Sequence, residues 1–178
     1  EPLARSRHLA TAEAALYAGR TAWLHHRDTP LTGEGVGLSE DGRLGAAWTE
    51  ADSTLRLVDL EAGALLHRWE GVPDSSPLAV GARAVVAASS QGLTLWRVEG
   101  GAVSLSEEDW RQVVLSPDGS VVAAVGLAPV VPLWDGRTGE PLGELVGHGD
   151  VVESVAFSTD GRTLATVADD YTVRTWSL

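Results

Sequence analysis

The chain of 178 residues contains no cysteine, methionine, lysine, isoleucine or asparagine. Each absence excludes something. Without cysteine there is no disulfide framework, no thiol nucleophile and no cysteine-based zinc site, and the redox compartment stays open. Without lysine neither a P-loop nor Schiff-base chemistry can be assembled. Long apolar runs are missing as well. The most apolar stretch, 121–134, is too short for a bilayer and is interrupted by Gly126, Pro129 and Pro132. The first residues lack the basic-then-apolar pattern of a signal peptide and lack an initiator methionine, so the chain reads as a fragment of something longer. The missing residue types, set against abundant Ala, Gly, Val and Arg, read as the bias of a GC-rich bacterial genome.

Positive charge is scarce: 13 arginines face 25 carboxylates, for a net charge of −12. A field of that sign repels phosphate backbones and anionic lipid, which argues against nucleic acid and membranes as partners. It suits basic or amphipathic protein partners, and it equally serves solubility alone. Apolar residues make up 44%, ordinary for a globular chain of this length with one core.

What the sequence does have is repetition. Three segments share one phrase, Leu38-Ser39-Glu40-Asp41-Gly42, Leu115-Ser116-Pro117-Asp118-Gly119 and Phe157-Ser158-Thr159-Asp160-Gly161, and a degenerate copy runs through Gly81-Ala82-Arg83. Asp-Gly between alternating apolar runs is a strong hairpin signal, because the turn needs positive φ. A second marker keeps step with the first. Val58, Trp96, Trp134 and Trp176 each end a strand-like run and recur at intervals of 38, 38 and 42 residues. Gly63, Gly101 and Gly139 each follow such a marker by five residues. A period near 40 made of short alternating strands gives one small antiparallel sheet per repeat. Such a sheet cannot cover both its faces alone, so neighbours must stack on it.

The last repeat resembles the WD-repeat pattern: Gly147-His148, then 155–161, Leu164-Ala165-Thr166, and Asp170-Tyr171-Thr172-Val173-Arg174-Thr175-Trp176; the third supplies Trp134-Asp135 itself. The resemblance implies an all-β, WD-type β-propeller of about four four-stranded antiparallel blades, a partial ring or half of a larger one. It divides the chain into an N-terminal segment, 1–32, and repeats at about 33–73, 74–109, 110–149 and 150–178. It also implies a buried hydrogen-bonded tetrad, matched in the last repeat by His148, Thr166, Asp170 and Trp176. Elsewhere the pattern is broken. The third repeat has Ala124 and Ala128 at the Thr and Asp positions, and the second has Val86 and Ser90. The first keeps Asp52 but reads Trp48 at the Thr position and Val58 at the Trp position. Three blades are thus expected to rest on apolar packing and one on the polar set.

The first thirty residues admit two readings. Residues 3–19 carry helical spacing with Gly19 as a stop, yet parts of the segment resemble strands of the last repeat, as a partial preceding blade would. A closing strand for the last blade is expected around 23–27 or 29–33. Four blades leave an open arc, so the remainder of a parent propeller or a second copy of the chain is an expected partner.

Chemistry is thin. Adjacent His25 and His26 face opposite sides of a strand and cannot converge on one ion, and no HExxH motif exists. There is no G-x-S-x-G elbow. The glycine-rich stretch 33–37 has the wrong spacing for a phosphate loop and reads as a linker between blades. No cofactor or metal is expected and no catalytic residue is assigned. Candidate partner contacts are Trp110 with Arg111, for which inter-blade packing is the favoured reading, and Asp150 and Tyr171 on loops. Trp69 is expected on an outer strand. The expectation is a non-catalytic, cytoplasmic protein- or peptide-binding platform within a larger bacterial regulatory protein. The alternative is a structural piece that completes a ring by association.

Overall fold

A computed structural model describes residues 35–75 and 78–178. The expectations for residues 1–32, the His25-His26 pair included, lie outside the described residues. Four antiparallel sheets follow one another, each with its strands in sequence order. The first holds β1 (Gly35–Leu38), β2 (Leu44–Thr49), β3 (Thr54–Asp59) and β4 (Ala64–Glu70). The second holds β5 (Leu78–Val80), β6 (Ala84–Ser89), β7 (Gly92–Arg97) and β8 (Gly101–Ser106). The third holds β9 (Gln112–Leu115), β10 (Val121–Val125), β11 (Val130–Asp135) and β12 (Pro141–Val146). The last has three strands among the described residues, β13 (Val152–Phe157), β14 (Thr163–Ala168) and β15 (Val173–Ser177).

The turns explain why these segments become hairpins. At Ser39, Ser116 and Ser158 the hydroxyl donates to the Asp two residues on and accepts an amide five residues on, from Leu44, Val121 or Thr163. Gly42, Gly119 and Gly161 then take φ of 67°, 74° and 70°, where a side chain would be strained. The second sheet does without this device and closes a tighter turn through Gly81 N–H to Ala84 O. Between third and fourth strands, Asp59 and Asp135 each accept two turn amides, ahead of Gly63 and Gly139.

Stacking uses strand alternation. Successive residues of each second strand point to opposite neighbours. Ala46, Trp48, Leu55 and Leu57 meet Val80 and Val85; Val86, Ala88 and Leu95 meet Val122, Ala124 and Trp134; Ala123, Val125 and Val131 meet Val155, Leu164 and Ala168. The core is therefore three slabs between four sheets.

Two sequence-based expectations are corrected. The stretch read as a linker starts β1 at Gly35. A Cβ on Gly37 would come within 2.8 Å of Leu78 O and 2.9 Å of Val80 Cγ2, so glycine is what lets β5 lie against β1. In the first two sheets the position equivalent to Thr166 is also one residue from where it was read. Gly45 pairs with Val58, Val85 with Trp96, Val122 with Trp134 and Leu164 with Trp176. The central hairpin is one residue longer in the first sheet and one shorter in the second. Counting back from the marker therefore lands on Trp48 and Val86. Pairing instead puts Ala47 and Ala87 on the marker's face, whereas Trp48 and Val86 face the following sheet.

Candidate functional site

Because strands alternate in direction, the turns between second and third strands share one rim with the segments that join successive sheets. His148, Asp170, Asp150 and Tyr171 all belong to that rim. At the last sheet His148, its side chain 1% exposed, bridges two elements. Its Nδ1 lies 2.9 Å from Asp170 Oδ2 and its Nε2 2.7 Å from Thr166 Oγ1. Trp176 Nε1–H donates to the same Thr166 oxygen at 3.0 Å. One assignment satisfies every group: Nδ1–H donates to the carboxylate, Thr166 O–H donates to Nε2, and the indole donates to Thr166. Thr172, which sequence reasoning did not single out, donates its hydroxyl to Asp170 Oδ1 at 2.6 Å, and Gly149 N–H donates to Oδ2 at 2.8 Å. Thr172 and then Gly149, more than His148, hold the Asp170 carboxyl far below the usual carboxylate range.

The four residues thus join the loop before β13 to two strands of one sheet. Their connectivity ties the loop bearing Asp150 to the turn bearing Tyr171. Tyr171 itself is fully exposed and sits at φ 61°, a conformation costly for a tyrosine. Asp150 is exposed and accepts only the neighbouring Val151 amide.

Trp110 is placed differently. Its ring packs on the core between the second and third sheets, edge-on to Trp134 at 5.8 Å and 90°. His148 stands against Trp176 in much the same way, at 6.3 Å and 63°. In the third sheet, then, a tryptophan takes the place of the histidine, with Ala124 and Ala128 at the other two positions. Arg111 is exposed and pairs with Glu153 of β13 at 3.3 Å.

Sequence reasoning missed two features. Leu127 is 66% exposed on the neighbouring turn, and its signal was the Gly126-to-Pro129 turn around it. Gln112 clamps two sheets: its amide nitrogen donates to Val155 O, and its oxygen accepts Val155 N–H, each at 3.1 Å. No periodicity marks it. The loops of this rim carry Glu50, Asp74, Glu107, Glu108, Asp109 and Asp150 with Arg111, whereas the opposite rim intersperses Arg43, Arg83, Arg97, Arg137 and Arg162 with carboxylates such as Glu40, Asp59, Glu61, Glu99, Asp118 and Asp160. Among the described residues no three His, Asp or Glu side chains gather as a metal site would require, and no helix is long and apolar enough to cross a membrane.

Residues 139–177 match the profile of the WD domain, G-beta repeat. This is a WD-repeat chain. Its WD-repeat relatives include WD repeat-containing protein SL1-17 of Schistosoma mansoni, 31% identical over 80% of this chain and 50% of that protein. Transducin beta-like protein 2 of Homo sapiens is 31% identical over 52% of this chain and 23% of that protein. Coronin-7 of Bos taurus is 34% identical over 49% and 11%. A chain in the solved structure titled Crystal Structure of Mitotic Checkpoint Complex superposes with a TM-score of 0.59 at 21% identity, over 80% of this chain and 46% of that one. That likeness shows the propeller fold. The WD-repeat chain spans half or less of each of these proteins.

Proposed function

We propose that this WD-repeat chain is a non-catalytic platform that binds a protein or peptide at the rim bearing Tyr171, Asp150 and Leu127. The observation that carries this is Tyr171: a large side chain, wholly exposed and kept in a strained left-handed conformation. The hydrogen-bonded set beneath it holds the turn rigid, which lowers the ordering cost of binding. Arg111 belongs to the same surface, while Trp110 supports it from below. The names of the relatives, WD-repeat, coronin and transducin beta-like proteins, denote no enzyme and agree with a scaffold. The composition favours a bacterial source, and a cytoplasmic setting with the propeller as one part of a larger regulatory protein belongs to the same proposal.

The test compares capture by the wild-type chain, a Tyr171→Ala/Leu127→Ser variant and an opposite-rim Arg83→Ala variant. A partner held by wild type and Arg83→Ala but lost by the rim variant supports the platform. Equal capture by all three would reject this surface. A second reading, completion of a ring with another chain, is favoured by the outer face of the last sheet, where Val167 and Val173 are 44% and 69% exposed. Native mass tests it: a monomer that never gains a partner chain counts against it.

A further inference from the structure

The turns between second and third strands of the first and last sheets are built alike. Asp52-Ser53-Thr54 and Asp170-Tyr171-Thr172 each hold the middle residue at left-handed φ, 49° and 61°. In each the threonine hydroxyl donates to the aspartate Oδ1 at 2.6 Å. Their surroundings differ. At the first turn the chain supplies its own cations: Arg56 and Arg68 both reach Asp52 Oδ2, and the left-handed residue is a small serine. At the last turn Asp170 is taken by His148 and Gly149, and the left-handed residue is a fully exposed tyrosine. Two further carboxylates flank that tyrosine. Asp169 N–H donates to Val151 O at 2.9 Å, which lays Asp169 alongside the Asp150-Val151 loop, and both aspartates are exposed. No arginine among the described residues pairs with either of them. Arg174, the counterpart of Arg56, lies over Gly147 instead, where an added Cβ would meet its Nη1 at 3.2 Å. On the other side of the loop Val152 N–H donates to Ala128 O, so the exposed Leu127 borders the same surface.

We infer that this surface takes an arginine side chain from a peptide segment of its partner. The guanidinium meets the Tyr171 ring and the Asp150 and Asp169 carboxylates, and an apolar neighbour in the segment lies on Leu127. This rests on the platform reading above and gives the partner a chemistry. Charge complementarity names the occupant. Exposed carboxylates without a counter-charge, beside an exposed π face, attract a cation together and repel an acidic or phosphorylated segment. A purely apolar partner would cover Tyr171 and Leu127 but leave both carboxylates desolvated and unpaired. Arginine suits the site better than lysine. Its planar, weakly hydrated guanidinium stacks on an aromatic ring while its N–H groups stay directed in plane at carboxylates. The first turn makes the same kind of pairing within the chain, with two guanidinium groups on one aspartate.

The probe is the synthetic peptide acetyl-Leu-Gly-Arg-Gly-Leu-amide, titrated into the full chain to millimolar concentration at low ionic strength while backbone amides are followed by NMR. Saturable shifts are expected at residues 149–151 and 169–172 and not at the opposite-rim turn 159–161. Citrulline in place of arginine keeps the planar shape and removes the charge; it should weaken binding by about fivefold, and added salt should weaken the arginine peptide. The double variant Asp150→Asn/Asp169→Asn should lose affinity to a similar degree with an unchanged circular dichroism spectrum. Both side chains are exposed, and asparagine keeps the acceptor that Asp150 offers Val151 N–H. Should that variant unfold, a peptide with glutamate in place of arginine decides, and it must leave the wild-type amides unshifted. The inference is overturned if the arginine peptide gives no saturable shift at these amides. It is equally overturned if the citrulline or glutamate peptide binds as tightly, or if the folded double variant binds unchanged. None of these outcomes removes the platform reading: a partner lost by Tyr171→Ala/Leu127→Ser would keep the rim as a binding surface and take arginine away from it.

Discussion

The third and fourth sheets solve one packing problem in two chemistries. Around Trp176 the fourth uses His148, Thr166 and Asp170, each hydrogen-bonded to the next. Around Trp134 the third uses Trp110, Ala124 and Ala128, with an edge-to-face ring contact in place of hydrogen bonds, and the buried Trp110 Nε1 has no partner among the described residues. A polar network is stabilising only when complete, whereas an apolar one tolerates partial change. The second sheet carries the same cost: it keeps Trp96 but has Ala87 where a hydroxyl would sit, and the buried Trp96 Nε1 has no partner among the described residues.

The contrast can be broken from either side. Trp110→Ala should cost the most, about 3 kcal/mol in denaturant unfolding, because it empties the space beside Trp134; a loss near zero would return Trp110 to the binding surface. His148→Ala should cost about 2 kcal/mol by leaving Thr166 and Asp170 incompletely bonded, with enhanced exchange confined to β13–β15. Acid should separate the sheets further. A carboxyl whose folded pKa is depressed contributes stability that is complete above its unfolded value, near 4, and is lost as pH falls through the folded value. Asp170 lies furthest down, and Asp118, held chiefly by the Ser116 and then the Ser120 hydroxyl, is lowered to about 2. A pH titration from 5 to 2 should therefore weaken wild type progressively, and Asp170→Asn should flatten that limb; an unchanged limb would show that the network does not report on folding. Two small effects complete the series. Ala87→Ser offers Trp96 Nε1 an acceptor and should stabilise by up to about 1 kcal/mol. Tyr171→Gly should raise stability by about 0.5 kcal/mol, by relieving the positive φ, while weakening partner capture.

Much of this was readable from residues. The Ser-x-Asp-Gly turns and the Val58/Trp96/Trp134/Trp176 spacing mark the sheets, because positive φ and strand alternation leave direct traces in sequence. The tetrad positions of the last repeat were legible only through the resemblance to the WD-repeat pattern. The first two sheets were misread by one residue because hairpin length is not periodic and only pairing reveals it. Trp110 stayed ambiguous because an indole serves a core and a hot spot equally well. Leu127 escaped because the Gly126-to-Pro129 turn marks a loop and not which of its side chains is exposed, and Gln112 because a side chain that mimics backbone carries no local pattern.

The Gln112 clamp has a consequence for how the arc comes apart. Four sheets in a row behave as a one-dimensional chain of units, each coupled only to its neighbours. Across the last junction Gln112 offers Val155 the donor and acceptor that another strand's backbone would offer. It raises the coupling there without adding apolar area. With the clamp, the third and fourth sheets should melt as one cooperative unit. Exchanged for leucine, it would leave the packing nearly intact but uncouple the terminal unit, so a single unfolding transition would split into two.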